Sequence, residues 1–227
     1  MASISPPDDA LAPRLRIGAV LLAAGEGRRM GGVAKALIRL QGVPLIRRQL
    51  LALVQTGVDA VVVVTGFARA SVEAAVQGFA VTLVHNPDYA LGQQGSVRAG
   101  LAALAGDFDA VLVLLADQPL IGAAELAELL TAFRQAPRRP DGRFVVPQVQ
   151  GQRGNPVLLD ARALARVLAS PPDQACRELM DRHPELVHFH ATDNVRFITD
   201  LDTREDVEAL ARRLGCSLEL PPAHPVA

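Results

Sequence analysis

Two stretches of this 227-residue sequence carry groups suited to phosphates and cations. The first is Leu22-Ala23-Ala24-Gly25-Glu26-Gly27-Arg28-Arg29-Met30-Gly31-Gly32-Val33-Ala34-Lys35. Glycines at this density let backbone N–H groups approach a phosphate closely and point at it. Arg29 and Lys35 add charge for a triphosphate, and the small Ala23 and Ala24 leave room for a nucleobase against the backbone. The second is Leu115-Ala116-Asp117-Gln118-Pro119, where Asp117 follows a wholly apolar run. A carboxylate there is costly unless a cation pairs with it, and Mg²⁺ takes hard oxygen ligands. A turn or cap aspartate ahead of Pro119 is the competing reading. A third acidic stretch, Asp200-Leu201-Asp202-Thr203 with Glu205 and Asp206, suits the start of a helix, which Thr203 or Asp202 could cap.

The surrounding pattern says what must position these groups. Apolar runs at Ile17–Ala23, Ala60–Val64, Val81–Val84 and Ala110–Leu115 read as buried strands. Helical spacing recurs at Pro44–Gln55, with Leu45, Leu50, Leu51 and Val54 near one face and Gly57 as a stop. Ala68–Val76, Ser96–Leu104 and Ala123–Phe133 read as further helices. Beyond them come strands at Phe144–Gln148, Pro156–Leu159 and Leu186–His190 and helices at Arg162–Leu168, Gln174–Arg182 and Arg204–Leu214. Strands without polar alternation that alternate with helices predict a mostly parallel sheet covered on both faces. The expected class is α/β, a Rossmann-like three-layer sandwich, with ligands at the carboxyl ends of the strands. The region from about Pro137 to Leu168 breaks the alternation and is expected as a flap or insertion over the site.

Three patterns compete for the glycine loop. The dinucleotide fingerprint needs glycine at 25, 27 and 30, but position 30 is Met30. The Walker A loop needs GK[ST], which Ala34-Lys35-Ala36 does not supply. The third, LAAGxGxRMG followed by lysine, resembles the MobA-like nucleotidyltransferases, of the nucleotide-diphospho-sugar transferase fold type. That resemblance implies that Arg29 binds the triphosphate, that Lys35 bridges its phosphates, and that Leu22, Ala23, Ala24, Gly25 and Gly27 face the nucleotide. It implies Mg²⁺ on Asp117 and on a second acid of the D-x-D-T segment, Asp202 in preference to Asp200. Ser96 is a base-recognition candidate, with a helix cap as the competing reading. The runs around Thr65 (Val64-Thr65-Gly66-Phe67), His85–Gly92 and Gly154-Asn155-Pro156-Val157 are similar to the molybdenum cofactor cytidylyltransferase branch, which implies Thr65 as a further nucleotide-binding residue. Gly154, Asn155 and Pro156 would then line the acceptor pocket. Ala23-Ala24-Gly25 points to CTP, where guanylyl enzymes carry Ala-Gly-Gly. The implied partners are CTP, a molybdopterin-type phosphorylated acceptor, and a molybdoenzyme or its chaperone. The alternatives are a guanylyltransferase on the same cofactor, a cytidylyltransferase on a sugar or polyol phosphate, and a non-catalytic molybdenum cofactor chaperone.

Composition narrows the rest. Lys and Arg number 23 and Asp and Glu 24, a net charge of −1, so no bulk positive field is present to hold nucleic acid. Half the residues are hydrophobic, enough for a sizeable core, and with 7 Phe, 1 Tyr and no Trp that core is aliphatic. No apolar stretch reaches the ~18 residues of a membrane helix, and the start lacks a signal-peptide pattern, so the expectation is a cytoplasmic protein. Residues 16–216 are expected as one domain between flexible tails at 1–15 and 217–227. Cys176 and Cys216 read as ordinary thiols, and His188 and His190 as a polar strand face. Arg138, Arg139 and Arg143 form a basic patch that reads as a solvated loop or, if functional, as a hold for the acceptor's phosphate.

Overall fold

The computed structural model describes residues 14–222, so the expectations for residues 1–13 and 223–227 fall outside the described part. The elements run β1 (Ile17–Ala23), β2 (Arg39–Leu40), β3 (Val43–Pro44), α1 (Leu45–Thr56), β4 (Ala60–Thr65), α2 (Arg69–Ala75), β5 (Thr82–His85), α3 (Gln93–Ala103) and β6 (Ala110–Leu115). They continue with α4 (Ala123–Gln135), β7 (Phe144–Val149), β8 (Gln152–Arg153), β9 (Val157–Asp160), α5 (Ala161–Ala169), α6 (Cys176–Arg182), β10 (Val187–Ala191), α7 (Arg204–Leu214) and β11 (Leu218–Glu219).

The main sheet has the order β10-β7-β9-β6-β1-β4-β5, with β8 paired on β7. β1 pairs in parallel with β4 and β6, so the strand carrying the glycine loop and the strand carrying Asp117 lie side by side and end on the same edge. Alternate residues of β1 serve opposite faces. Ala19, Leu21 and Ala23 pack into a core with α1 and α4, while Val20 and Leu22 pack into a second core with α3 and α5. Both faces are therefore covered, which makes the three layers.

Residues 137–168 are a correction to the expected flap. β7 and β9 are full members of the sheet, and Val145, Leu158 and Leu159 are wholly buried in it. β9 runs antiparallel between β6 and β7, after the chain turns back at Gln150 and Gly151 (φ 49° and 84°), where both residues take the positive φ of a tight hairpin. The carboxyl boundary also shifts. Leu218 and Glu219, expected in a tail, pair antiparallel with Leu40 and Arg39 in a three-stranded side sheet. On α1 the buried face is Leu45, Ile46, Gln49, Leu50 and Leu53, whereas Leu51 and Val54 face outward. Among the described residues no helix is long and apolar enough to cross a membrane.

A polar tie fixes the segment that leads to Asp202. The Glu128 carboxylate of α4 lies 2.9 Å from His190 Nε2 and accepts from the Thr192 hydroxyl at 2.9 Å and the Asn194 amide at 3.1 Å. Nearby, Glu125 accepts from Arg196 at 2.8 Å. Burial alone would raise the Glu128 carboxyl, but the bonds from His190, Asn194 and Thr192 outweigh it and hold it below the usual glutamate range. A depressed folded value stabilises the protein above the ordinary carboxylate range, and that stabilisation disappears as pH falls through the folded value. Glu128→Gln is expected to cost about 1 kcal/mol near neutral pH after solvent screening. The gap to wild type should narrow as melting is measured below about pH 4. A gap independent of pH would contradict this reading.

Candidate active site

The loop after β1 is held by its own geometry. Gly27 adopts φ 60°, and a Cβ there would lie 2.1 Å from the Val33 carbonyl oxygen, so only glycine fits. Its carbonyl accepts from Met30 N at 2.8 Å and Gly32 N at 3.3 Å. Met30 and Val33 are buried with Ile38, Leu45, Leu201 and Val207, which pins the loop from below and leaves Arg28 and Arg29 at the surface. Among the described residues the amides of Gly25, Glu26 and Gly27 donate to no protein acceptor, and a Cβ on Gly25 would meet nothing within 4 Å. Amides left without a protein acceptor are available to an anion. Gly27→Ala is expected to destabilise the fold by on the order of 1–3 kcal/mol and to weaken triphosphate binding. An unchanged melting temperature would show that the loop is not built this way.

Opposite the loop stand two acids from distant segments. Asp117 follows β6, and Asp202 precedes α7. Lys35 Nζ lies between them, 3.1 Å from Asp117 Oδ2 and 2.5 Å from Asp202 Oδ1. Arg29 Nη1 donates to Asp202 Oδ2 at 2.7 Å. Asp202 is free for this because Thr203 caps α7: its hydroxyl accepts from Asp206 N at 3.1 Å while Asp206 Oδ2 accepts from Thr203 N at 2.7 Å. Burial alone would pull the Lys35 ammonium down, but the two aspartates outweigh it and hold it above its usual value. The hydrogen bond from Lys35, joined by the charges of Lys35 and Arg29, holds Asp202 below the usual aspartate range. Asp200 moves the other way, pushed up by partial burial and by the neighbouring Asp202 and Asp117, and it does not line the cavity.

One cavity of about 340 Å³ joins these parts. Leu22, Ala23, Ala24, Gly25, Gly27, Arg29, Lys35, Ser96, Asp117 and Asp202, all singled out in the sequence, line it. Ser96 is no helix cap. α3 begins earlier, at Gln93 after Gly92, and the buried Ser96 hydroxyl accepts from Asn86 Nδ2 at 2.9 Å. Thr65 is not brought to the cavity; it is buried, with its hydroxyl turned to Val84 O at 3.4 Å. The run that contains it does a different job. A Cβ on Gly66 would come within 2.7 Å of Tyr89 and 2.9 Å of Ala24, so glycine lets Tyr89 pack against the loop and become part of the wall. Gly154, Asn155 and Pro156 also lie off the cavity, with Asn155 N donating to Phe197 O at 2.9 Å. The Arg138, Arg139 and Arg143 patch sits by the amino ends of β6 and β7, away from the Lys35 edge. His190 is engaged with Glu128.

Sequence reasoning missed Tyr89 and Gln93 as wall residues and Gln49 as a support. The buried Gln49 amide donates to Leu115 O at 2.7 Å and Gln118 O at 2.9 Å, gripping the chain on both sides of Asp117. Leu201 N donates to Asp117 O at 3.2 Å, which ties the two acidic loops together. The only local signal was a polar residue on the apolar face of a helix.

The site fits a divalent cation. Asp117 Oδ1 is buried and has no hydrogen-bond partner among the described residues, a cost that a bound cation would remove. No cluster of three or more His, Cys, Asp or Glu suited to a metal exists among the described residues. Two carboxylates completed by phosphate oxygens and water is the coordination habit of Mg²⁺.

The chain is similar to known proteins. Over 138 residues the chain is 41% identical to the bifunctional enzyme IspD/IspF of Clavibacter michiganensis, covering 58% of this chain and 32% of that protein. It thus spans about a third of the length of the bifunctional relatives that it matches. It is 30% identical over 194 residues to the nicotine blue oxidoreductase of Paenarthrobacter nicotinovorans, covering 84% of this chain and 94% of that one. Among solved structures, a nucleotidyl transferase from Methanothermobacter thermautotroptrophicus superposes with a TM-score of 0.71 at 23% identity, over 87% of this chain and 97% of that one. A Mycobacterium tuberculosis protein solved in complex with manganese gives 0.65 at 24% identity, over 87% and 98%. These two likenesses concern the fold. The MobA-like NTP transferase domain matches residues 19–187, most of the chain, and the protein therefore belongs to that family.

Proposed function

We propose that residues 16–216, extended by the strand at 218–219, form a cytoplasmic Mg²⁺-dependent nucleotidyltransferase. It transfers CMP from CTP to the terminal phosphate of a molybdopterin-type acceptor and releases pyrophosphate. The observation that carries this reading is the Lys35 ammonium held between Asp117 and Asp202, facing a glycine cradle across one cavity. In transfer, an acceptor phosphate oxygen forms a bond to the α-phosphorus while the bond from that phosphorus to the bridging oxygen of pyrophosphate breaks. A phosphate nucleophile is already anionic near pH 7, so the chain has no proton to remove and its work is positioning and charge neutralisation. The amides of Gly25–Gly27 receive the phosphates, Arg29 closes over them from the rim, and Lys35 faces the α-phosphate where charge develops. Asp117 and Asp202 would hold Mg²⁺, which when bound supplies neutralisation of the phosphate oxygens. Asp117 Oδ1 and the manganese complex of a structural neighbour support a divalent ion.

The base assignment rests on Ala23-Ala24-Gly25 and on Tyr89, Ala90 and Gly92, which line the cavity from the His85–Gly92 run. The test is pyrophosphate release from each of the four ribonucleoside triphosphates, with molybdenum cofactor or with sugar and polyol phosphates as acceptor. CTP with the molybdenum cofactor should be fastest. A preference for GTP would move the protein to guanylyl transfer, and no release from any pair would end the transferase reading. The name of the Paenarthrobacter relative makes the oxidoreduction of nicotine blue the control reaction.

A further inference from the structure

A second cavity, of about 650 Å³, opens at the opposite edge of the sheet, where β6 and β7 begin and α5 starts. β6 spans the distance between the two cavities, roughly 20 Å at the usual rise of a strand. Among the described residues the walls of this second cavity carry Arg14, Arg134, Arg138, Arg139, Arg143 and Arg162 against Asp109 and Asp160. Those acids are already engaged. Asp109 accepts from Arg16 N at 2.8 Å, and Asp160 caps α5 by accepting from Ala163 N at 2.9 Å. Arg14 pairs with Asp59 at 2.9 Å, outside the cavity. A protein of net charge −1 thus gathers, among the described residues, more arginine than acid at one place.

Arg143 is the centre of this block. It is 95% buried, its guanidinium lies over the Phe133 ring at 4.2 Å, and one Nη donates to the Ala136 carbonyl. Its Nε is buried without a hydrogen-bond partner, since the nearest acid, Asp160, is 4.0 Å away. Arg139 Nε is likewise buried and unpartnered. A buried charged donor left unpaired is costly, and two in the lining of one cavity call for an acceptor. The field is felt nearby. Burial, together with the charges of Arg139 and Arg143, holds the His188 imidazole below its usual range.

We propose that this cavity is a second anion site, separate from the triphosphate cradle, which takes a phosphate-bearing small molecule of nucleotide size. The guanidinium forks of Arg139 and Arg143 fit phosphate oxygens pairwise. Phe108 and Leu15 offer an apolar wall for the rest of the ligand, and the volume lies within the range of small-molecule sites.

The probe is inorganic pyrophosphate, titrated calorimetrically without divalent ions into the full chain. Arg143 is left in place because it is buried. Arg138→Gln with Arg139→Gln should weaken binding at least tenfold while the KM for the triphosphate stays within twofold. Arg139→Lys, which keeps the charge but loses the fork, should weaken it at least threefold. The glycine cradle offers pyrophosphate a separate phase, so Lys35→Ala should weaken that phase alone and leave the arginine-dependent phase within twofold. Unchanged binding in the double glutamine variant overturns the proposal. So does wild-type affinity in Arg139→Lys, which would reduce the cavity to a diffuse positive field. Loss of both phases in Lys35→Ala would place the probe in the glycine cradle instead and equally overturns it.

Discussion

Asp117→Ala is expected to lower nucleotidyl transfer by on the order of 10³-fold or more while the protein remains folded. The two halves of that expectation rest on the same atom. Asp117 Oδ1 is buried and unpartnered, so the folded protein without ligand gains nothing from it. The other oxygen accepts from Lys35 at 3.1 Å, but Lys35 keeps Asp202 at 2.5 Å when Asp117 is gone. The melting temperature of the variant should therefore equal that of wild type or exceed it, with activity lost. An ordinary structural aspartate gives the reverse pattern, lower stability with turnover largely kept, and steady-state kinetics beside thermal unfolding separate the two.

Lys35→Ala is the second large effect, expected to slow transfer by on the order of 10²-fold and to raise the KM for the triphosphate. Both constants should move because the ammonium meets the phosphates in the ground state and the charge developing on the α-phosphate in the transition state. A further consequence follows from its position between the carboxylates. Without the ammonium, Asp117 loses its cation and Asp202 keeps only Arg29, so Mn²⁺ binding measured in the absence of nucleotide should tighten, even though catalysis is worse. An unchanged KM and kcat would remove Lys35 from the mechanism, and unchanged or weaker Mn²⁺ binding would show that the lysine does not compete for the acids.

What could be read from the sequence follows from range. β1 and β6 match their expected limits, Ile17–Ala23 and Ala110–Leu115, because runs buried on both faces are apolar without interruption. α7 does so because Thr203, Asp206 and Gly215 mark its ends with capping side chains and a left-handed glycine at φ 61°. β2, β3 and β11 have two residues each, too few to display a period, and the β2–β11 pairing brings together positions about 180 apart in the chain. The insertion of β9 between β6 and β7 is a matter of strand order, which no local pattern encodes. The outward turn of Leu51 and Val54 reflects which neighbours α1 meets, while its apolar residues occupy more than one face.

The site divides along the same line. The cradle residues and Lys35 are contiguous in sequence and were legible as a pattern. Asp117 and Asp202 were legible as acids beside element ends, but only the structure puts one ammonium between them. Gln49 acts through carbonyls 66 and 69 positions away, beyond any motif. Thr65 and Gly154-Asn155-Pro156 lie off this cavity, the first with its hydroxyl turned to Val84 O and the others tied to Phe197 and Pro147, long-range contacts that no local pattern displays.

Crystals soaked with a non-hydrolysable CTP analogue and Mg²⁺ test the central claim most directly. The account predicts the triphosphate along Gly25–Arg29, within hydrogen-bond distance of those amides and of Lys35, with the ion ligated by Asp117 Oδ1 and Asp202. Nucleotide bound elsewhere on the protein, or an ion that leaves Asp117 untouched, would contradict it.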